Sequence, residues 1–324
     1  MLHDHIRARA RSIFNRRSSG FVRLSAAAVV TLLLATALYP IKALACACGC
    51  GIFDIGNLLP TTPGGAVYLE YDYMNQNKNW SSLSHAPAAN NSDKDIRTDF
   101  YTAGFQYLFE DGFGVMAELP YWNRSFATDD GSGVSTFNHA ALGDVRLTGS
   151  YSGFSSDNST GISFGVKLPT GDSTYANFDR DTEIGTGSTD LTFGAYHVGS
   201  LDAMGMWRYF SQARYQFAVS STGGYRPGNE LDAVAGVSYD AGMGGTIDWS
   251  PTLQIIASTR MHDSGAAANP MDSGYSRVLL SPGVDVNFKS WTLHAEVDIP
   301  IYQNVIGNQL TAPELFKTNI AYNF

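Results

Sequence analysis

Three cysteines at alternate positions, Cys46, Cys48 and Cys50, are the only ones in the chain and its most reactive grouping. In an extended backbone, residues i, i+2 and i+4 share a face, so the three sulfurs would point the same way. That arrangement suits a soft ion, Cu(I) or Zn. Three thiolates leave tetrahedral zinc one ligand short, whereas Cu(I) accepts three, so copper is the preferred ion. A disulfide at this spacing is sterically awkward. Two other readings stay open: lipidation of Cys46, weakened by Ala43 three positions earlier, and a plain segment with no ligand.

Oxygen chemistry is offered by Asp179, Asp181 and Glu183, which alternate with Arg180 and Thr182 after the run Lys167-Leu168-Pro169-Thr170-Gly171-Asp172. Such carboxylates can hold Ca²⁺, but the spacing lacks the EF-hand pattern, and a solvated acidic loop is the simpler reading. Nucleophilic catalysis needs a hydroxyl or thiol beside a base. His197 has no serine of matching parity beside it, and His294 stands between Thr292 and Glu296 on the opposite parity. An enzyme is therefore not expected.

The elements that must position these residues begin with an export signal over 1–45. Arg7, Arg9, Arg11, Arg16, Arg17 and Arg23 form a basic stretch, and Ala26 to Leu38 an apolar one. Pro40 ends it, and Ala43-Leu44-Ala45 gives an A-x-A cleavage site before Cys46. The Arg16-Arg17 pair is a weak twin-Arg signal. A Sec-type route is expected instead, because the strand pattern below describes a protein that is exported unfolded. Residues 46–63 then form a Cys-rich periplasmic segment.

From 64 to 324 the chain alternates apolar and polar residues in stretches of about ten, the pattern of half-exposed strands. Val67-Leu69-Tyr71-Tyr73, Tyr101-Ala103-Phe105-Tyr107-Phe109 and Leu231-Ala233-Ala235-Val237-Tyr239 are examples. Twelve such stripes follow one another, the last ending on Ile320, Tyr322 and Phe324. Their connections alternate in length. Short ones fall near 110–112, 153–159, 199–203, 241–245 and 288–290. Longer ones fall near 76–96, 122–140, 169–188, 220–230, 262–275 and 302–313. Short turns on one side, long loops on the other and an even strand number are the signature of an outer-membrane barrel. Aromatics near the strand ends, such as Tyr121, Trp122, Trp207, Trp249 and Trp291, are placed to form two interfacial girdles. A soluble β-sandwich also alternates, but it must cover its edges and has less need of aromatic ends. Charged residues are 16% and mean hydropathy is −0.12, far from a helical membrane protein. The expectation is an all-β, transmembrane, antiparallel up-and-down barrel of about twelve strands.

With the stripes facing lipid, the opposite parity faces the lumen. It carries the acids Glu118, Asp144, Asp232, Asp285, Glu296 and Asp298, the bases Arg146, Lys167, Arg208, Arg214, Arg260 and Arg277, and His294. A mid-bilayer Arg or Lys facing lipid costs ~2–4 kcal/mol, so the inward assignment is favoured. Mixed signs argue against strong ion selectivity. The charges either line a water channel or pair and partly close it. The net charge is −9, more negative once the basic leader is removed, which excludes nucleic acid as a partner. Outer-membrane lipid, lipopolysaccharide and small solutes are the expected partners, along with barrel-assembly machinery reading the terminal Phe324.

Three short stretches add a resemblance: Leu168-Pro169-Thr170-Gly171-Asp172, Gly185-Thr186-Gly187-Ser188-Thr189-Asp190-Leu191, and Leu280-Ser281-Pro282-Gly283-Val284. On these the chain, from about Gly64 to Phe324, resembles the family of outer-membrane transporters associated with the meta-pathway of phenol degradation. The resemblance implies passive transport of small, aromatic or hydrophobic solutes. The alternative function is a closed envelope barrel with a metal-binding, Cys-rich N-terminus, and a lesser one is an outer-membrane enzyme.

Overall fold

The computed structural model describes residues 61–129, 131–240 and 247–324. The signal segment, the three cysteines and the turn near 241–245 lie outside the described residues. The described residues form fifteen strands: β1 (Gly64–Gln76), β2 (Lys78–Ser82), β3 (Ser84–His85), β4 (Asp93–Leu108), β5 (Phe113–Asp129), β6 (Val134–Leu142), β7 (Arg146–Tyr151), β8 (Thr160–Lys167), β9 (Ser188–Ser200), β10 (Trp207–Ser221), β11 (Glu230–Tyr239), β12 (Ile247–Arg260), β13 (Tyr275–Phe288), β14 (Trp291–Thr311) and β15 (Leu315–Asn323). Each main strand pairs antiparallel with its sequence neighbours. The ring closes where β1 meets β15, from Ala66↔Asn323 to Met74↔Leu315. With β6 and β7 counted as one interrupted stave, the result is a closed antiparallel barrel of twelve strands.

Alternation explains the two faces. On β1, Val67 and Leu69 are about half exposed, whereas Tyr68 and Asp72 between and beyond them are buried. On β4, Tyr101 and Phe105 point outward while Thr98 and Phe100 are buried. The outer face is therefore apolar around the ring, the inverse of a soluble protein, and it suits a hydrocarbon surround. Aromatic pairs mark both rims. Phe113–Tyr151 (4.8 Å), Trp207–Tyr239 (4.9 Å) and Trp291–Tyr322 (5.0 Å) lie at the end bearing the C-terminus, and Tyr71–Tyr101 (5.2 Å) lies towards the other. No helix among the described residues is long and apolar enough to cross a membrane, which says nothing of strands.

The turns obey their chemistry. Glu110-Asp111-Gly112 closes β4 onto β5, with Gly112 at φ 82°, a conformation that costs most side chains about 1–2 kcal/mol. Three of the long loops expected from the sequence are instead largely strand, the first being 76–96, which holds β2, β3 and the start of β4. Residues 122–140 form a hairpin that projects above the ring, since β5 runs to Asp129 and pairs with β6 from Tyr121↔Leu142 to Asp129↔Val134. Residues 302–313 are mostly the upper part of β14, which pairs with β2 and leaves only 312–314 as a turn. Polar residues on both faces hide such extensions, because a strand above the membrane has no apolar stripe to betray it.

Candidate functional site

The inner wall is built from the residues of odd or even parity that the barrel turns inward, and it divides into two parts. One part is charged. Lys167 on β8 is 3% exposed and lies between Asp190 (2.9 Å) and Asp144 (3.3 Å), while also donating to Thr186 Oγ1 at 2.5 Å. Arg146 stands in register between Glu118 and Lys167. Tyr68 donates its hydroxyl to Glu118 at 3.3 Å. Arg214 pairs with Asp232 at 3.1 Å, and Arg260 with Asp263 at 2.6 Å. Arg277 stacks on the Tyr275 ring at 4.7 Å. His294 reaches Asp285 at 2.9 Å and Glu296 at 3.4 Å, and Gln254 donates to Glu296 at 2.5 Å. Asp298 is fully buried. Arg208, at the start of β10, is exposed at the rim. Buried charges persist only when paired and hydrogen-bonded, and this wall largely meets that condition internally.

The other part is apolar, and the charge-based reading of the sequence missed it. A buried cluster runs from Phe100 and Met74 through Leu315, Leu279, Ile256 and Val234 to Phe210 and Val198. Register places its members on adjacent strands: Met74↔Leu315, Leu279↔Ile256, Ile256↔Val234 and Phe210↔Val198. Leu279, Ile256 and Val234 lie directly across from one another, and the step from Val234 to Phe210 shifts two residues along β10, because Val234 faces Gln212. Its signal in the sequence is apolar residues on the lumen parity, such as Val234 beside Asp232 and Ile256 beside Gln254.

The loop 168–187 folds over this wall at the end away from the C-terminus. Asp144 accepts from the Gly171 N–H (3.0 Å), the Thr186 N–H (2.9 Å) and the Thr186 hydroxyl (2.6 Å), so one carboxylate ties both ends of the loop. Gly171 and Gly185 touch through their backbones, and a Cβ on Gly185 would lie 2.3 Å from the Gly171 oxygen. Beyond that contact, Phe178 packs with Ile96, Phe126 and Leu310. Arg124 donates to the Thr182 and Glu183 carbonyls at 2.5 and 3.3 Å. His139 meets Asp172 at 2.9 Å and stacks on Tyr175 at 4.1 Å.

The acidic stretch is thus only partly a solvated loop. Asp179 is exposed, Asp181 is half-buried and Glu183 is buried. Burial pushes the Glu183 carboxyl up to about 7. Burial, followed by the charges of Asp179 and Asp263, pushes Asp181 up to about 6. Asp93, above the outward aromatics of β4, rises to about 7 from burial and then from Asp179 and Asp181. Among the described residues, no three His, Cys, Asp or Glu side chains converge into a group that could hold a metal.

His197 faces outward with both ring nitrogens engaged, Nδ1 with the Thr160 hydroxyl (2.8 Å) and Nε2 with the Tyr209 hydroxyl (2.9 Å). Neither partner is a carboxylate that would orient the ring as a base.

Known structures share this architecture. An outer membrane channel from Pseudomonas putida F1 superposes with a TM-score of 0.65 at 11% identity, covering 84% of this chain and 100% of that one. The β domain of the Bordetella autotransporter BrkA superposes with a TM-score of 0.52 at 12% identity, over 81% of this chain and 100% of the other. At such identities the likeness is one of fold, the twelve-stranded outer-membrane barrel. No family model matches the chain, and no curated protein matches it in sequence.

Proposed function

We propose that the protein is an outer-membrane channel for small solutes, with aromatic or hydrophobic molecules favoured over ions. The observation that supports this most is the divided inner wall. Much of its charged part is held in its own ion pairs, while an apolar seam runs from Phe100 and Met74 to Phe210 and Val198. Opening a buried ion pair by removing one partner costs about 3–5 kcal/mol, whereas a passing apolar molecule replaces the contacts it parts. The family resemblance to transporters of the phenol meta-pathway points the same way. On this reading residues 1–45 direct export, 46–63 remain periplasmic, and Phe324, whose backbone pairs with Gly65 at 2.8 and 2.9 Å, presents the assembly signal. Lipid and lipopolysaccharide surround the apolar outer face, and no catalysis is assigned. Purified protein in planar bilayers and swelling liposomes is the test. Passage of small aromatic solutes with low ion conductance is expected, and liposomes impermeable to every solute would refute the channel.

A second reading has support of its own. The loop 168–187 and the paired charges fit a closed envelope barrel whose activity lies in Cys46, Cys48 and Cys50, binding copper or zinc at the periplasmic mouth. Intact mass spectrometry distinguishes the fates of these cysteines. A copper or zinc adduct that disappears in the triple Cys→Ser variant supports metal, a diacylglycerol mass on Cys46 supports lipidation, and an unmodified N-terminus under copper-replete growth refutes both.

A further inference from the structure

A cavity of about 490 Å³ opens at the rim away from the C-terminus, outside the seam and the ion pairs described above. Four separate stretches build it: 90–93 with Ile96, 179–182, 266–272, and 308–310. Its size falls within the range of small-molecule sites, roughly 300–1,000 Å³. Its lining is dominated by groups that hydrogen-bond, chiefly Asn91, Asp93, Asp181, Asn269, Asp272 and Asn308.

These groups are held in place by one another. Asn269 Nδ2 donates to Asp272 Oδ2 at 2.9 Å, and the Asn308 N–H donates to Asp272 Oδ1 at 2.9 Å. Asn91 Oδ1 accepts from the Asp93 N–H at 3.0 Å. Within the lining, Asn308 Oδ1 is a buried acceptor with no hydrogen-bond partner among the described residues. A buried acceptor in that state is costly, so a donor from an occupant would be stabilising.

The chemistry of the lining narrows the occupant. A hard divalent cation needs six to eight converging oxygens, and the acids here do not converge into a metal-holding group. Amides both donate and accept. Asp93 and Asp181, their carboxyls raised to about 7 and about 6, do the same when protonated. Paired donors and acceptors at fixed spacing match vicinal hydroxyls, each of which also donates and accepts. Ile96 and Leu310 supply a small apolar surface of the kind a sugar ring's C–H face covers.

We infer that this rim cavity binds a polyhydroxylated ligand of one or two sugar rings. Such chemistry has two sources at an outer surface: a free saccharide, or the sugars of lipopolysaccharide in the same leaflet. Calorimetry on the purified full-length mature protein in detergent tests it, with maltose, lactose and isolated lipopolysaccharide core oligosaccharide as probes. Saturable binding of a saccharide is expected, weakened about tenfold by Asn308→Leu and by Asn269→Ala. Heat-modifiable gel mobility verifies that each variant is folded, and Asn269, on a loop, stands in if Asn308→Leu is not. Binding of a disaccharide assigns a free sugar, and binding of the core oligosaccharide alone assigns the lipid-borne one. The inference is overturned if no saccharide binds, if only spermidine or calcium binds, or if folded variants bind as the parent does.

Discussion

Replacing Lys167 with methionine should destabilise the barrel and release the loop above it. Its ammonium stands 2.9 Å from Asp190 and 3.3 Å from Asp144, so at an effective dielectric of about 20 the two attractions are about 6 and about 5 kcal/mol. Methionine keeps the length of the stem and discards both. Two buried carboxylates then remain beside each other, Asp144 7% and Asp190 1% exposed. Protonation and entering water offset much of the loss, and the net cost of stranding a buried charge is about 3–5 kcal/mol. Urea unfolding of the protein refolded into lipid vesicles would read this as a lower midpoint with an unchanged slope. The double variant Lys167→Met/Asp190→Asn removes one of the stranded charges and should recover more than half of the deficit. Because Asp144 also holds Gly171 and Thr186, proteolysis within 172–186 should accelerate in the single variant. A single variant within about 1 kcal/mol of the parent, or a double variant less stable than the single, would refute the reasoning.

Three further outcomes follow from the same geometry. Asp93, Asp181 and Glu183 have carboxyls raised in the folded state, to about 7, 6 and 7, so their contribution to seating the loop is full below their unfolded values near 4 and is lost as pH rises through 6–7; hydrogen exchange over 172–186, corrected for intrinsic rate, should be faster at pH 8 than at pH 5, and equal protection would contradict this. Gly185→Ala places a Cβ 2.3 Å from the Gly171 oxygen, which must shift at a cost of about 1–3 kcal/mol; ion conductance in planar bilayers should increase as the loop lifts, and unchanged conductance with intact stability would count against the loop as a cover. Ile256→Asp puts a charge into the middle of the apolar seam; uptake of benzyl alcohol into proteoliposomes should decline several-fold while the barrel remains heat-modifiable, and undiminished uptake would place the route elsewhere.

How far the sequence could be read depends on which physical constraint each residue obeys. Strands in the membrane must show lipid one face, so Val67, Leu69 and Tyr71 on β1, or Leu231 and Ala233 on β11, declare their strands and even their parity. Turns such as Glu110-Asp111-Gly112 are equally legible, because few residues tolerate the backbone they need. Above the apolar band that constraint lapses. The hairpin of β5 and β6 and the upper part of β14 carry Ser, Asn, Thr and Gln on both faces, and read as loop. Inward charges such as Lys167 and Asp232 were legible by parity, but not their partners, since the pairing of Lys167 with Asp144 depends on the break between β6 and β7 that brings Asp144 level with it.

The inner wall carries the larger lesson. A list of charges suggests a polar channel, yet the neighbours along the register alternate between ion pairs and aliphatic contacts. Asp232 faces Arg214, while Val234, two residues on along the same face of β11, faces Ile256. One strand thus contributes to both halves of the wall at adjacent inward positions. A solute pressing on β11 meets a charge held by its partner on one side and a side chain held only by packing on the other. Packing contacts are individually weak, about 0.1–0.2 kcal/mol per atom pair, and are remade against any apolar surface, whereas the ion pair yields only to a competing charge. The same register that closes the barrel therefore ranks its inner contacts by how readily they part, and the seam from Phe100 to Val198 is where they part most easily.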